Sequence, residues 1–227
     1  MLPALLYLLM WQSPPQSQTT YVCGVRDAQT EPLRSTAGFT ASLSMHSEDD
    51  HGKNSHECQA DYSLHILYPD GTRIGGPPAF GGSGFSSSIA EWNRPLTFRI
   101  DGFSPDGKRV FIFIEEGGQY SSISAKEFDM VTGASLRDEG ADLSSLHKIG
   151  SACAATLHIA GTTAGGHIVL QTTQAGRCAR TERWQLNAYH HMKKGLGSKP
   201  GIPTRIAPGM HITDIVPGTP KPRHATN

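Results

Sequence analysis

Phe103-Ser104-Pro105-Asp106-Gly107-Lys108-Arg109-Val110-Phe111-Ile112-Phe113 decides the fold class. Proline fixes φ near the value that the first corner of a tight turn needs. Aspartate can hydrogen-bond its own backbone, and glycine accepts positive φ. The Val, Ile and Phe residues that follow read as a buried strand, closed by Glu115-Glu116-Gly117-Gly118. A similar turn, Tyr68-Pro69-Asp70-Gly71-Thr72, lies upstream, its proline 36 residues before Pro105. The two turns differ in phase. Asp70-Gly71 follows an alternating strand, as Thr132-Gly133 does, so the equivalent of Gly71 is Gly133, 62 residues on.

Short alternating runs recur on both sides of this stretch. Residues 40–45, 62–68, 96–100 and 122–130 read as strands, and so do 155–159, 167–171 and 180–186. Residues 47–61 read as a polar loop, 75–88 as a Gly/Pro-rich loop, 161–166 as a hairpin loop and 193–203 as a Gly/Pro/Lys loop. Residues 204–216 give one or two last strands, and only 135–146 leaves room for a helical turn. With 25 glycines and 15 prolines in 227 residues, the composition fits many short strands and turns better than long helices. Twenty basic residues balance twenty acidic ones, so nothing draws the chain to nucleic acid or to an anionic membrane.

The run FSPDGKRVFIF, followed by Glu127-Phe128-Asp129-Met130-Val131-Thr132-Gly133-Ala134, resembles the TolB-like, WD40-like β-propeller repeat. In that repeat an SPDGK-type turn joins the first and second strands of a blade, and a D-x-x-T-G turn ends the third. The resemblance covers residues 95–137 and extends more weakly to 38–80 and 153–186. It implies a blade-like β-meander and carries no catalytic residue of its own. The chain has room for four short blades at most, of which three are visible. The expectation is therefore an all-β protein of antiparallel meanders, partial or small β-propeller-like, with a β-sandwich as the alternative. An open array would leave strand edges for an oligomer or a partner to cover.

Residues 1–18 contain an apolar run, LPALLYLLMW, too short to span a bilayer and of the length of a secretory signal. The reading is an exported protein, periplasmic or extracellular, with a single domain over 19–216 and a disordered tail over 217–227. Four cysteines suit that compartment. Of the three pairings open to Cys23, Cys58, Cys153 and Cys178, we prefer Cys23–Cys58 and Cys153–Cys178, because each staples neighbouring elements; four buried thiols are the alternative.

The loop around His46, His51 and His56 gathers imidazoles and carboxylates suited to zinc or another divalent ion. A spacing of five matches neither a strand face nor a helix face, so the loop would have to fold around the metal. The plainer reading is a solvated polar loop. His190-His191 reads as an exposed turn, Glu115-Glu116 as a strand end, and Trp92 and Trp184 as core anchors. Gly81-Gly82-Ser83-Gly84-Phe85 breaks the nucleophile-elbow pattern at its last position, and Gly195-Leu196-Gly197 fails the dinucleotide fingerprint. The leading expectation is a non-catalytic binding or scaffold module without a cofactor, whose ligand is a protein or a cell-envelope component. Its binding surface would be the loops over 47–58 and 75–88. The alternatives are a metal-dependent enzyme using the three histidines, and a structural subunit of a larger envelope assembly.

Overall fold

The computed structural model describes residues 19–22, 27–49, 57–72, 88–91, 95–116, 122–142, 146, 155–191 and 198–221. The first strands are β1 (Thr19–Val22), β2 (Asp27–Gln29), β3 (Leu33–Arg34), β4 (Thr40–Asp49), β5 (Glu57–Leu67) and β6 (Ser88–Glu91). Next come β7 (Pro95–Phe103), β8 (Arg109–Glu116), β9 (Ser122–Asp129) and β10 (Ser135–Asp142). The second half holds β11 (Ala155–Thr163), β12 (Ile168–Gln174), a single 3-10 turn (Gly176–Cys178) and β13 (Arg180–Gln185). Short strands complete it: β14 (Asn187–Ala188), β15 (His190–His191), β16 (Ser198–Lys199), β17 (Thr204–Arg205), β18 (Ile212–Asp214) and β19 (Thr219–Pro220).

These strands form three antiparallel sheets and one small pair. The first sheet runs β19-β3-β4-β5-β6, with β2 also beside β4. The central sheet runs β1-β7-β8-β9-β10-β14, and the third runs β17-β13-β12-β11-β18. The all-β expectation holds, and the described residues close into neither a barrel nor a propeller. Among them no helix is long and apolar enough to cross a membrane.

The opening motif behaves as its chemistry dictates. Gly107 has φ +68° and donates to the Ser104 carbonyl at 2.8 Å, while Lys108 N–H reaches the Asp106 carboxylate at 3.1 Å. The Ser104 hydroxyl and then that Lys108 N–H hold the Asp106 carboxyl below its ordinary pKa. A Cβ on Gly107 would sit 2.6 Å from Thr36 Oγ1, because this turn packs on the β3–β4 turn of the first sheet. The turns after β5 and β9 meet in the same way, Tyr68 donating its hydroxyl to the Val131 carbonyl. Gly71 and Gly133 both carry positive φ in the turns that follow β5 and β9, the equivalence read from the sequence.

The strand after that turn is buried on both sides. Val110, Ile112 and Ile114 of β8 join a core with Leu43, Met45, Tyr62 and Leu64 of the first sheet. Phe111 and Phe113 join a second core with Ile159, Ile168, Leu170 and Leu186 on the third-sheet side. Each such side chain contributes about 1.5–3 kcal/mol by leaving water. The central sheet is thus the middle layer of three.

Several sequence expectations need correcting. The polar loop over 47–61 is shorter, because β4 continues to Asp49 and β5 begins at Glu57 with Asp49 and Cys58 in register. An antiparallel ladder carries polar residues readily when one face meets water. Of residues 135–146, where a helical turn was expected, Ser135–Asp142 form a strand, β10, and Leu146 is helical; Glu139 and Ala141 are buried and the ladder of β10 with β9 is continuous but for one bulge. β11 runs through Gly161 to Thr163, so the hairpin turn begins two residues later than its glycines suggest. His190 and His191 pair with Lys199 and Ser198 and are not a turn. Order also passes beyond Pro217, since Thr219 and Pro220 pair with Arg34 and Leu33. Residues 222–227 and 1–18 lie outside the described residues.

Candidate functional site

The outer face of the first sheet is the polar surface where sequence-predicted chemistry and a concavity coincide. β2 pairs with β4 so that Asp27 lies opposite His46 and Gln29 opposite Ser44. β4 pairs with β5 so that His46 lies opposite Asp61 and Ser44 opposite Ser63. Side chains alternate across a strand, so Met45, Tyr62 and Leu64 go to the core while their neighbours go outward. The result is two cross-strand rows, Asp27–His46–Asp61 and Gln29–Ser44–Ser63, with Ser42 and His65 as the next pair.

One hydrogen bond lies within the first row, and two join the second row to the Ser42–His65 pair. His46 Nδ1 lies 2.9 Å from Asp27 Oδ1, with 49% and 82% of the two side chains exposed. Ser44 Oγ lies 2.8 Å from His65 Nε2, and Gln29 Nε2 donates to Ser42 Oγ at 3.3 Å. The first two rows line an open concavity of about 320 Å³. A site that wet makes an ion pair worth little to stability and leaves its groups turned toward a partner. It lies at the lower end of the range of ligand cavities and is unenclosed, which suits contact with another surface better than engulfing a small molecule.

Of the predicted metal ligands, His46 stands on β4 with Asp27 beside it, whereas His51 and His56 lie outside the described residues. Among the described residues no three His, Cys, Asp or Glu side chains are placed to hold a metal ion. Cys178 is disulfide-bonded. The pairing expected for it and the side chains of Cys23, Cys58 and Cys153 lie outside the described residues, as do Trp92 and the loop over 75–87. Trp184 is half-buried against the core between the central and third sheets, the anchoring role expected of it.

Sequence reasoning missed Asp27, Asp61, Ser63 and His65 as companions of His46. The alternation in YSLHILY does put Ser63 and His65 on one face of β5. Nothing local to residues 27–29 shows that they pair with 44–46.

No protein-family model matches the chain, and no curated protein or solved structure shows significant similarity to it.

Proposed function

We propose that the chain is a non-catalytic binding module that engages a partner bearing cationic groups, on a protein or a cell-envelope component, through the outer face of the first sheet. The observation that carries this reading is the row Asp27–His46–Asp61, two carboxylates flanking an imidazole on an exposed and gently concave β-face. Opposite charge on such a face steers and orients an incoming partner. The TolB-like reading is supported by turn phase: Gly38, Gly107 and Gly166 carry positive φ in the β3–β4, β7–β8 and β11–β12 turns. Export is supported by the disulfide at Cys178, since such bonds persist in oxidising compartments.

Titration of the isotope-labelled protein with oligolysine, followed by amide chemical shifts, tests the reading. Saturable shifts should concentrate at residues 27–29, 44–46 and 61–63, and Asp27→Asn with Asp61→Asn should weaken binding about 10-fold. Shifts scattered over the molecule, or an affinity untouched by the two substitutions, would refute it.

A further inference from the structure

The last described stretch of chain, residues 212–221, belongs to no hairpin of its own and pairs with all three sheets in turn. β18 adds to the edge of β11, with Gly161 opposite Asp214, Thr162 opposite Thr213 and Thr163 opposite Ile212. Ile215 N–H then donates to the Ala160 carbonyl at 3.0 Å. Val216 and Phe103 exchange two backbone hydrogen bonds of 2.8 Å at the end of β7 in the central sheet. Finally β19 pairs with β3 of the first sheet, and Lys221 N–H donates to the Pro32 carbonyl at 3.1 Å. Among the described residues no other element pairs with all three sheets.

The side chains follow the same plan. Ile215 packs against the core between the central and third sheets, and its neighbour Val216 packs against the core between the first and central sheets. Two adjacent residues thus seal one interface each. Thr213, Asp214, Pro217 and Thr219 remain exposed, so the segment lies over the body and is not buried within it.

The receiving strands are shaped for a backbone at close range. A Cβ on Gly102 would come within 2.7 Å of the Val216 carbonyl, and one on Gly161 would lie under 3.0 Å from Thr213 O and Asp214 Cα. Both glycines follow a register irregularity in the strand that receives the segment, between Ile100 and Gly102 of β7 and between Ile159 and Gly161 of β11. In the segment itself, a Cβ on Gly218 would meet Phe103 Cε2 at 2.5 Å and Leu33 Cβ at 2.8 Å. Glycine in a strand marks such close approach of a second backbone.

We infer that the edges of β11 and β3 and the Phe103 end of β7, beyond the residues that β1 covers, form one peptide-accepting groove, and that residues 212–221 are its ligand in cis. The class of ligand is an extended peptide. Backbone hydrogen bonds hold it, adjacent branched apolar residues fill the two interfaces, and a glycine passes over Phe103. Occupancy blunts three exposed edges at once and fixes the sheets against one another.

The test starts from the folded full chain. A protease recognition sequence replaces the exposed turn at 207–210, and the chain is cut only after folding. A labelled synthetic peptide of residues 211–221 should then exchange saturably into the cut protein, and Ile215→Asp or Val216→Asp peptides should compete at least about 10-fold less well. In the uncut chain, Gly161→Ala should speed hydrogen exchange at the Ile215 amide by about 10-fold or more, with β12–β13 protection kept as the sign of an intact fold. The inference is overturned if the cut segment departs without change in melting temperature or edge protection. Equal competition by the aspartate peptides would overturn it as well.

Discussion

On the face of the central sheet turned to the first sheet, Val110, Ile112 and Ile114 meet Leu43, Met45, Tyr62 and Leu64 in an apolar layer. A charged pair on the β9–β10 side of the sheet, Lys126 with Asp138, has its carboxylate half exposed. On the opposite face Phe111 and Phe113 share the surface with buried Arg99, Asp101, Glu127 and Glu139. There the charges reach across. Asp101 pairs with Arg99 and accepts from the Ile159 N–H, while Arg99 donates to the Leu157 carbonyl and lies 3.9 Å over the Phe113 ring. Glu139 accepts from the Ile168 N–H at 2.6 Å and faces His167 Nδ1 at 2.8 Å. Glu127 takes Arg109 and Arg137 at 2.6 and 2.9 Å.

The two interfaces therefore have different tasks. Apolar contact is strong but non-directional, so the first interface depends on shape and volume. The carboxylates of the central sheet bind particular N–H groups of β11 and β12, which fixes the position of the third sheet on the second. Arg99 and Asp101 also occupy backbone groups of β11 just beyond the stretch that β18 covers.

Asp101→Ala should separate the two interfaces most sharply. It leaves the Arg99 guanidinium buried without its carboxylate and the Ile159 N–H without its acceptor, a loss of about 3–5 kcal/mol. Urea unfolding that showed a cost below ~1 kcal/mol, the range of solvated pairs, would end the contrast. Glu139→Gln keeps the volume but weakens two charge-assisted contacts, and should cost about 1–3 kcal/mol in the same assay. On the other side of β8, Ile112→Val should cost about 0.5–1.5 kcal/mol, equally at acid and neutral pH. A strong pH dependence of that cost would mean the first interface is not the apolar one described.

The smallest expected effect concerns His158. Burial, opposed by Asp101 and reinforced by Arg99 and Arg183, holds its imidazole below the ordinary value of 6.5. The unfolded chain therefore takes up a proton first as pH falls. The neutral ring's contribution is whole above about 6.5, shrinks below it, and is gone once pH passes the folded value. Thermal melts from neutral to mildly acid pH should show a shallower decline for His158→Gln than for the parent. Parallel curves would show that titration of His158 does not contribute to the loss of stability in acid.

Much of this was legible along the chain. The Pro105-Asp106-Gly107 turn, the buried strand after it and the shared phase of Gly71 and Gly133 all follow from the sequence. Of the candidate site, His46 was legible but its surroundings were not. Its neighbours Asp27 and Asp61 arrive from other strands. The length of β4 and β5 was hidden as well, because polar residues on a strand's wet face look like loop. The tail after Pro217 looked featureless, yet its order comes from the edges it crosses.

Local residue chemistry set the turns, the alternation and hence the all-β class. Each depends on a φ preference, a side-chain period or a hydrogen bond spanning only a few residues. Tertiary structure alone decided that Asp27 and Asp61 flank His46, that carboxylates of one sheet hold amides of the next, and that residues 212–221 cross three edges. Those pairings join residues far apart in the chain, and a register between distant strands is set only when their side chains pack together.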